Sequence, residues 1–477
     1  MSERGRGSRP RMRRDPIRKA LGAKQARNAS ELLKEEPQAE SAGGAPAAGR
    51  TSLHELRRRP FTGFLQLLGP GLITGASDDD PSGIGTYSQV GSQFGYGLLW
   101  TPLFTFPLMA AVQELCARIA LQTGVGLGVA LRRKFPTGLV GVCVAALFIA
   151  NTINVGADLG AIAAGAHLLV GIPNIWLLIA AALLIVVLEL FVTYSLIFQI
   201  FKWLTLALFA YVITAFVVHP QVGAVLWASL VPHVEPSRDY ITATVAVLGT
   251  TISPYLFFWQ ASSEVDEMRA AGHVTEASRR GVRIQELTAA RLDILTGMFF
   301  SNLVMFFIIL TSGAVLHAHG KTNIESAAGA AAALAPFAGR FATVIFAAGF
   351  IGTGLLAVPI LSGSAAYALK EFLGLPGNLA DRARYRPTFY AVMVLSVLAG
   401  IGINLLGIDT ITALYWTAVI NGVVAPPLLL LIVLLGSDRR VMASKVSGRL
   451  SRTLTWVTTV LMGAAAVAML LLNFVLR

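Results

Sequence analysis

From about residue 62 to its end the chain is written in long apolar blocks parted by short polar segments. Eleven blocks reach the length of about 20 residues that a helix needs to cross a bilayer: 62–93, 98–122, 137–169, 174–193, 195–218, 242–264, 287–316, 340–370, 388–407, 411–435 and 454–475. The first and sixth carry helix-interrupting residues at mid-span and are expected to be broken. The polar segments differ in charge. One set holds Arg132, Arg133 and Lys134, then Arg269, Arg279, Arg280 and Arg283, then Lys370, Arg382, Arg384 and Arg386, then Arg439, Arg440, Lys445, Arg449 and Arg452. The alternate set holds little more than Arg238, Lys321 and Arg340. Basic loops stay on the cytoplasmic side, so the expected topology is N-terminus inside, C-terminus outside, in a plasma membrane, a bacterial inner membrane by preference.

Composition agrees with this pattern. The 477 residues are 55% hydrophobic and 13% charged, with mean hydropathy +0.66, where a soluble chain would carry about a quarter charged residues. The chain reads as an all-α polytopic membrane protein. Cys116 and Cys143 both lie in apolar segments, so no disulfide framework or thiolate metal site is implied. The net charge of +12 belongs mostly to residues 1–60, where 15 Lys/Arg face 7 Asp/Glu. That stretch is expected to be a disordered, basic cytoplasmic tail that sets orientation. Binding to anionic lipid or nucleic acid is the less favoured reading of it, and its length before the first apolar run argues against a cleavable signal peptide. The organisation expected is therefore a tail over 1–60, a ten-helix core over 61–437, and a cytoplasmic loop with an eleventh helix over 438–477.

The most informative local feature is Asp78-Asp79-Asp80-Pro81-Ser82-Gly83 inside the first span. A carboxylate at bilayer depth costs a few kcal/mol or more, so it persists where it faces protein, water or a cation. Non-helical backbone at that depth is tolerated only where it lines a cavity. The sixth span has a counterpart, with Pro254 preceded by Gly249, Thr250, Thr251 and Ser253. Spans one and six are five apart, which suits two inverted five-helix repeats plus an eleventh helix, with the broken helices 1 and 6 meeting at the midplane around a cation. Two ordinary proline kinks are the bland alternative.

Several of these residues carry a family resemblance. Gly69-Pro70-Gly71, Asp80-Pro81, Gly91-Ser92, Phe94-Gly95-Tyr96 and Leu98-Leu99-Trp100 resemble the first span of the NRAMP family of divalent-metal transporters. Leu248-Gly249, Thr251 and Pro254 resemble its sixth, and Asp158 with Gly171-Ile172-Pro173 its third, so that the likeness covers about 62–435. The resemblance implies a LeuT-type fold and metal uptake by alternating access, commonly of manganese or iron with proton cotransport. It implies a substrate metal and no cofactor, with divalent ions, the lipid bilayer and, in the family's usual form, protons as partners and no nucleic acid.

The chain departs from the family's pattern at telling places. Where the family has Asp-Pro-Gly-Asn, this chain has Asp80-Pro81-Ser82-Gly83, and Met-Pro-His becomes Ser253-Pro254-Tyr255. A thioether favours softer transition metals, whereas hard ions prefer oxygen. The expected metal site is all-oxygen: Asp80, Ser253, the Ser77 and Thr250 carbonyls, and Gly83 in place of the asparagine. Asp78 and Asp79 add acid nearby, as an ion path. Magnesium keeps several of its waters and suits a roomy acidic cavity, and a divergent NRAMP-related group of magnesium transporters lacks the same soft ligand. Magnesium is favoured, with manganese second. The family's two histidines fall at Tyr255 and Gln260, and of its paired third-span acids the first falls at Val155, leaving Asp158. With no imidazole to titrate near neutral pH, uptake without stoichiometric proton entry is expected. An ordinary proton-coupled manganese or iron symporter is the alternative.

Other candidates have a plain reading beside the functional one. Asn151, Asn154 and Asp158 share one helix face and read as an aqueous or proton path, or as interhelical hydrogen bonding. Glu264 and Asp266 read as an inner vestibule or a solvated helix end. Asn421, before Pro426-Pro427, reads as packing ahead of a helix-ten ligand. Glu114 and Arg118 read as a surface pair, and the stretch after Asn323 as an alanine-rich outer loop or short helix. A LeuT-type carrier of organic solutes is disfavoured because three aspartates would repel a carboxylate substrate. A membrane enzyme is disfavoured because the seven histidines show no catalytic metal spacing beyond His317-x-His319.

Overall fold

The structure is a computed structural model, and it describes residues 69–192, 206–375, 377 and 386–475. The chain divides into Met1–Pro46 and Ala47–Arg477. All that is described belongs to the second unit, so the expected tail lies outside the described residues. Those residues form helices and turns, with no strand among them.

The first span is two helices, α1 (Pro70–Asp78) and α2 (Pro81–Phe94). After it come α3 (Thr101–Thr123), the short α4 (Leu127–Lys134), α5 (Thr137–Val170), α6 (Asn174–Phe191), α7 (Phe209–Val218) and α8 (Val222–Leu230). The sixth span is again two helices, α9 (Arg238–Thr251) and α10 (Pro254–Ala270). The remaining spans are α11 (Ile284–Val315), α12 (Ala342–Leu373), α13 (Pro387–Asn404), α14 (Thr410–Gly436) and α15 (Arg449–Leu470). Among the described residues nine helical segments are long and apolar enough to cross a membrane. The aspartate-bearing first span and the shorter apolar segment Leu206–Val218 complete the expected set; the start of the fifth span, 195–205, lies outside the described residues.

Both breaks have the same local cause. Pro81 and Pro254 each stand at the first turn of a new helix, where a missing N–H costs nothing. Asp80 and Ser253 hold extended N-cap conformations before them. By contrast Pro107, Pro359 and the pair Pro426 and Pro427 lie inside helices that run on through them.

One expectation changes. Glu114 and Arg118 are buried, not a surface pair: they bond each other, and Glu114 also receives Arg291 and the Ser451 hydroxyl, joining spans two, seven and eleven. A charged pair taken out of water needs such added donors. The alanine-rich stretch after Asn323 takes the short-helix form of its two expected readings, over Ala327–Ala331, Ala332–Leu334 and Ala335–Ala338, with Ala330, Ala333 and Leu334 buried in the core. Alanine suits that position because it lets helix backbones approach closely.

Candidate metal site

The two breaks are tied together. The Tyr255 hydroxyl donates to the Ser77 carbonyl at 2.8 Å, and the Tyr87 and Thr251 hydroxyls meet at 3.2 Å. Tyr255 is itself held by the Ser364 hydroxyl, which donates to its carbonyl at 2.6 Å. The last turns of α1 and α9 and the first turns of α2 and α10 thus converge on one place. Ser77, Asp80, Thr250 and Ser253 are all buried there.

Asp80 is 2% exposed. Its Oδ1 accepts the Gly83 N–H at 2.7 Å, capping α2, and its Oδ2 accepts the Asn154 side-chain amide at 3.0 Å. Each oxygen keeps a lone pair for a cation. Gly83 thus acts as a donor to Asp80. The Ser253 hydroxyl donates back to the carbonyls of Gly249, 2.7 Å, and Thr250, 2.9 Å. Its lone pairs stay free, as does one on each of the Thr250 and Ser77 carbonyls. Among the described residues no three of His, Cys, Asp or Glu gather into a metal-holding group. The oxygens gathered at the two breaks are those of one carboxylate, a hydroxyl and two carbonyls, a donor set that suits hard ions.

The third span supplies the wall facing Asp80. Asn151, Asn154 and Asp158 are fully buried. Asn154 reaches Asp80, whereas the Asn151 amide donates to the Leu361 carbonyl at 3.3 Å, a tie to α12. Asp158 faces Asp80 and the Ser82 amide, with no hydrogen bond of ordinary geometry on either oxygen. The carbonyl oxygens of Asn151 and Asn154 also have no partner, and unpaired buried acceptors are where ordered water or an ion is expected. Asn421 belongs with them: its Oδ1 is unpaired, and the adjacent Gly422 backbone lies against Gly249, within 2.3 Å of where a Cβ would stand.

The remaining candidates are placed apart. Asp78 and Asp79 are buried on the other side of the break, where the Ser301 hydroxyl of α11 donates to Asp78 Oδ2 at 2.5 Å and lies 3.4 Å from Asp79 Oδ1. Gln260 joins α1 and α10, accepting from the Thr74 hydroxyl at 2.6 Å and donating to Glu264 at 3.1 Å. Glu264 is buried in that contact, while Asp266 lines a cavity of about 190 Å³ with Ser262, Arg269, Tyr367, Lys370 and Glu371 at the basic-loop end. A second cavity, of about 320 Å³, opens at the opposite end and includes Gln89, Asp239, Thr242, Tyr415 and Asn473. Asp80 lines neither of these two cavities. The sequence reading passed over Ser301, Tyr87 and Asp293; a lone polar residue in an apolar span was the available signal for Ser301 and Asp293.

Outside the spans, charge pairs knit the basic loops. Arg133 holds Glu276 with two bonds, 2.7 and 2.9 Å, and Arg280 adds a third. These hydrogen bonds, Arg133 first, hold the Glu276 carboxyl down to about 2. Lys134 does the same for Asp438, in direction, across to the end of span ten.

The model of the Nramp family, natural resistance-associated macrophage protein-like, matches residues 71–472. The divalent metal cation transporter MntH of Deinococcus radiodurans is 24% identical over 423 residues, 88% of this chain and 91% of its own. MntH of Bacillus subtilis is 24% identical over 420 residues, 87% and 94% respectively. Among solved structures, the Eremococcus coleocola manganese transporter superposes with a TM-score of 0.68 at 16% identity, covering 86% of each chain. The nucleobase-cation-symport-1 family transporter Mhp1 superposes at 0.52 with 15% identity, over 85% of this chain and 91% of the other. The fold expected from the resemblance, a LeuT-type bundle with spans one and six broken, is the fold found.

Proposed function

The chain belongs to the Nramp family, and from that premise we propose that it carries divalent metal cations across a membrane by alternating access, with the ion held where the breaks of spans one and six meet. It acts as a transporter, without enzymatic chemistry of its own. The observation that carries this reading is Asp80: a buried carboxylate oriented by Gly83 and Asn154, beside a second break tied to its own.

The ion is a hard one, magnesium ahead of manganese. Support comes from the donor set, Asp80, Ser253 and the Ser77 and Thr250 carbonyls, with Asn421 as a further oxygen and no sulfur or imidazole among them. The names of the curated relatives and of the solved manganese transporter favour a divalent metal without deciding between the two. Asp266 and its cavity form the passage at the basic-loop end, and that end faces the cytoplasm, which puts the N-terminus inside and the C-terminus outside. Asp78 and Asp79 make the break acidic from behind, where they raise its attraction for a cation.

Uptake follows the electrochemical gradient of the metal. Tyr255 and Gln260, at the places of the family's histidines, are committed to Ser77 and Thr74, and neither a phenol nor an amide exchanges a proton near neutral pH unaided. A divalent ion gains about 4.6 kcal/mol from a 100 mV inside-negative potential, twice the 2.3 kcal/mol per charge. The test is uptake into proteoliposomes holding a metal-sensitive and a pH-sensitive dye. Metal entry without matching acidification is the expected result. Acidification that tracks the metal gradient and vanishes in Asp158→Asn would replace this reading with proton-coupled symport.

A further inference from the structure

We propose that span seven is a splint for the broken first span, and that Asp293 and Ser301 are the positioning residues that make it one. The contacts follow both half-helices from end to end. At the start of α1, Asp293 takes three backbone N–H groups: Gly69 at 2.9 Å and Leu72 at 3.0 Å on Oδ1, and Gly71 at 2.6 Å on Oδ2. These are donors that a helix start leaves without intrahelical partners. An anion there also complements the positive end of the helix dipole, and charge-assisted bonds are the strong ones.

One turn on, the backbones touch. A Cβ at Gly71 would stand 2.5 Å from the Ile294 nitrogen, and one at Gly75 would stand 2.3 Å from the Gly297 carbonyl. At the break itself the Ser301 hydroxyl sits between Asp78 and Asp79. Past the break, a Cβ at Gly91 would stand 2.5 Å from the Ile309 carbonyl oxygen, and one at Gly313 would stand 2.9 Å from that of Gly95. His317, just beyond α11, meets the Ser92 carbonyl through Nδ1 at 2.8 Å. Toward α10, α1 is tied by the bond from Thr74 to Gln260 and the bond from Tyr255 to the Ser77 carbonyl, and the Glu267 carboxylate of α10 lies beside Gly69.

The chain is interrupted between α1 and α2, yet one continuous helix is fastened to both. Span one and span seven therefore move as a pair, and the placement of Asp80 is set by residues more than 200 positions away. Nothing in this depends on which ion is carried, and only the second measurement below rests on the metal reading.

The first measurement places a single thiol on α1, by Ala76→Cys in a chain carrying Cys116→Ser and Cys143→Ser, and follows its modification by a water-soluble maleimide. The splint predicts that Asp293→Ala speeds modification about tenfold, with Asp293→Asn, which keeps one acceptor oxygen, in between. Rates within twofold of the parent for a monodisperse Asp293→Ala protein overturn the proposal. If that variant does not fold, the decision passes to Ser301. Manganese binding by calorimetry is expected to weaken about tenfold in Ser301→Ala and to recover in Ser301→Thr, which keeps the hydroxyl. Unchanged affinity in Ser301→Ala, or no recovery in Ser301→Thr, overturns it, whereas a parent protein that binds neither manganese nor magnesium would instead defeat the metal reading.

Discussion

Asp80 caps a helix with one carboxylate oxygen, engages the third span with the other, and still presents lone pairs to the interior of the break. These roles can be separated by substitution. Asp80→Asn keeps an acceptor for Gly83, so the protein is expected to fold with little loss while uptake disappears. Asp80→Ala also removes the cap, which costs about 1 kcal/mol of stability, and is equally inactive. Uptake assays paired with thermal unfolding check both; full transport by either variant removes Asp80 from the site. Tyr255→Phe tests the tie between breaks. It removes one buried hydrogen bond, worth about 1 kcal/mol, so a modest fall in melting temperature is expected, with uptake slowed by less than tenfold. Residues such as Asp80 and Ser253 were legible in the sequence because each sits beside a proline in an apolar span. Asp293 stood out only as a lone acid in an apolar span; its role was not legible, because its partners are the amides of Gly69, Gly71 and Leu72, and no local pattern links positions so distant.

At the scale of elements, proline by itself did not mark the breaks. Pro359, Pro426 and Pro427 lie in helices that continue; what distinguishes Pro81 and Pro254 is the Asp80 or Ser253 before each, a residue type that takes the extended N-cap conformation readily. The sequence therefore located both interruptions correctly from the proline and its neighbours together. Where helices cross, the decisive feature is the absence of a side chain, and that is hard to read without the partner. Gly75→Ala forces a Cβ to 2.3 Å from the Gly297 carbonyl, an overpacking expected to cost about 1–3 kcal/mol or more. Gly138, also in a helix, has nothing within 4 Å of its would-be Cβ, so Gly138→Ala should be neutral or stabilising by about 0.5–1 kcal/mol. Melting temperatures that fall for the first and not for the second are the expected result; equal shifts would contradict the close α1–α11 crossing.

For the whole molecule, span number, the two breaks and the clustering of basic loops were all legible, because bilayer thickness and backbone satisfaction leave few alternatives. The burial of Glu114 and Arg118 was not, since an i, i+4 pair near a span end looks the same whether water or two further helices lie beside it. The loop pairs set a pH expectation. Glu276, depressed to about 2, is ionised throughout the physiological range. Its contribution is present above the ordinary carboxylate value and is lost only as pH falls toward 2. The loop contact, a partly exposed one worth about 1 kcal/mol or less, should therefore be unchanged between pH 8 and 5. Uptake profiles of wild type and Glu276→Gln should run parallel over that window; a step present in one and missing in the other would place a titration there after all.

The central claim is that an all-oxygen site between two broken helices carries a hard divalent cation. Uptake of magnesium and cadmium, compared side by side in proteoliposomes of the wild-type chain, tests it most directly. The account predicts saturable magnesium uptake that a similar concentration of cadmium does little to suppress. Cadmium uptake far in excess of magnesium, or no magnesium uptake at all, would contradict it.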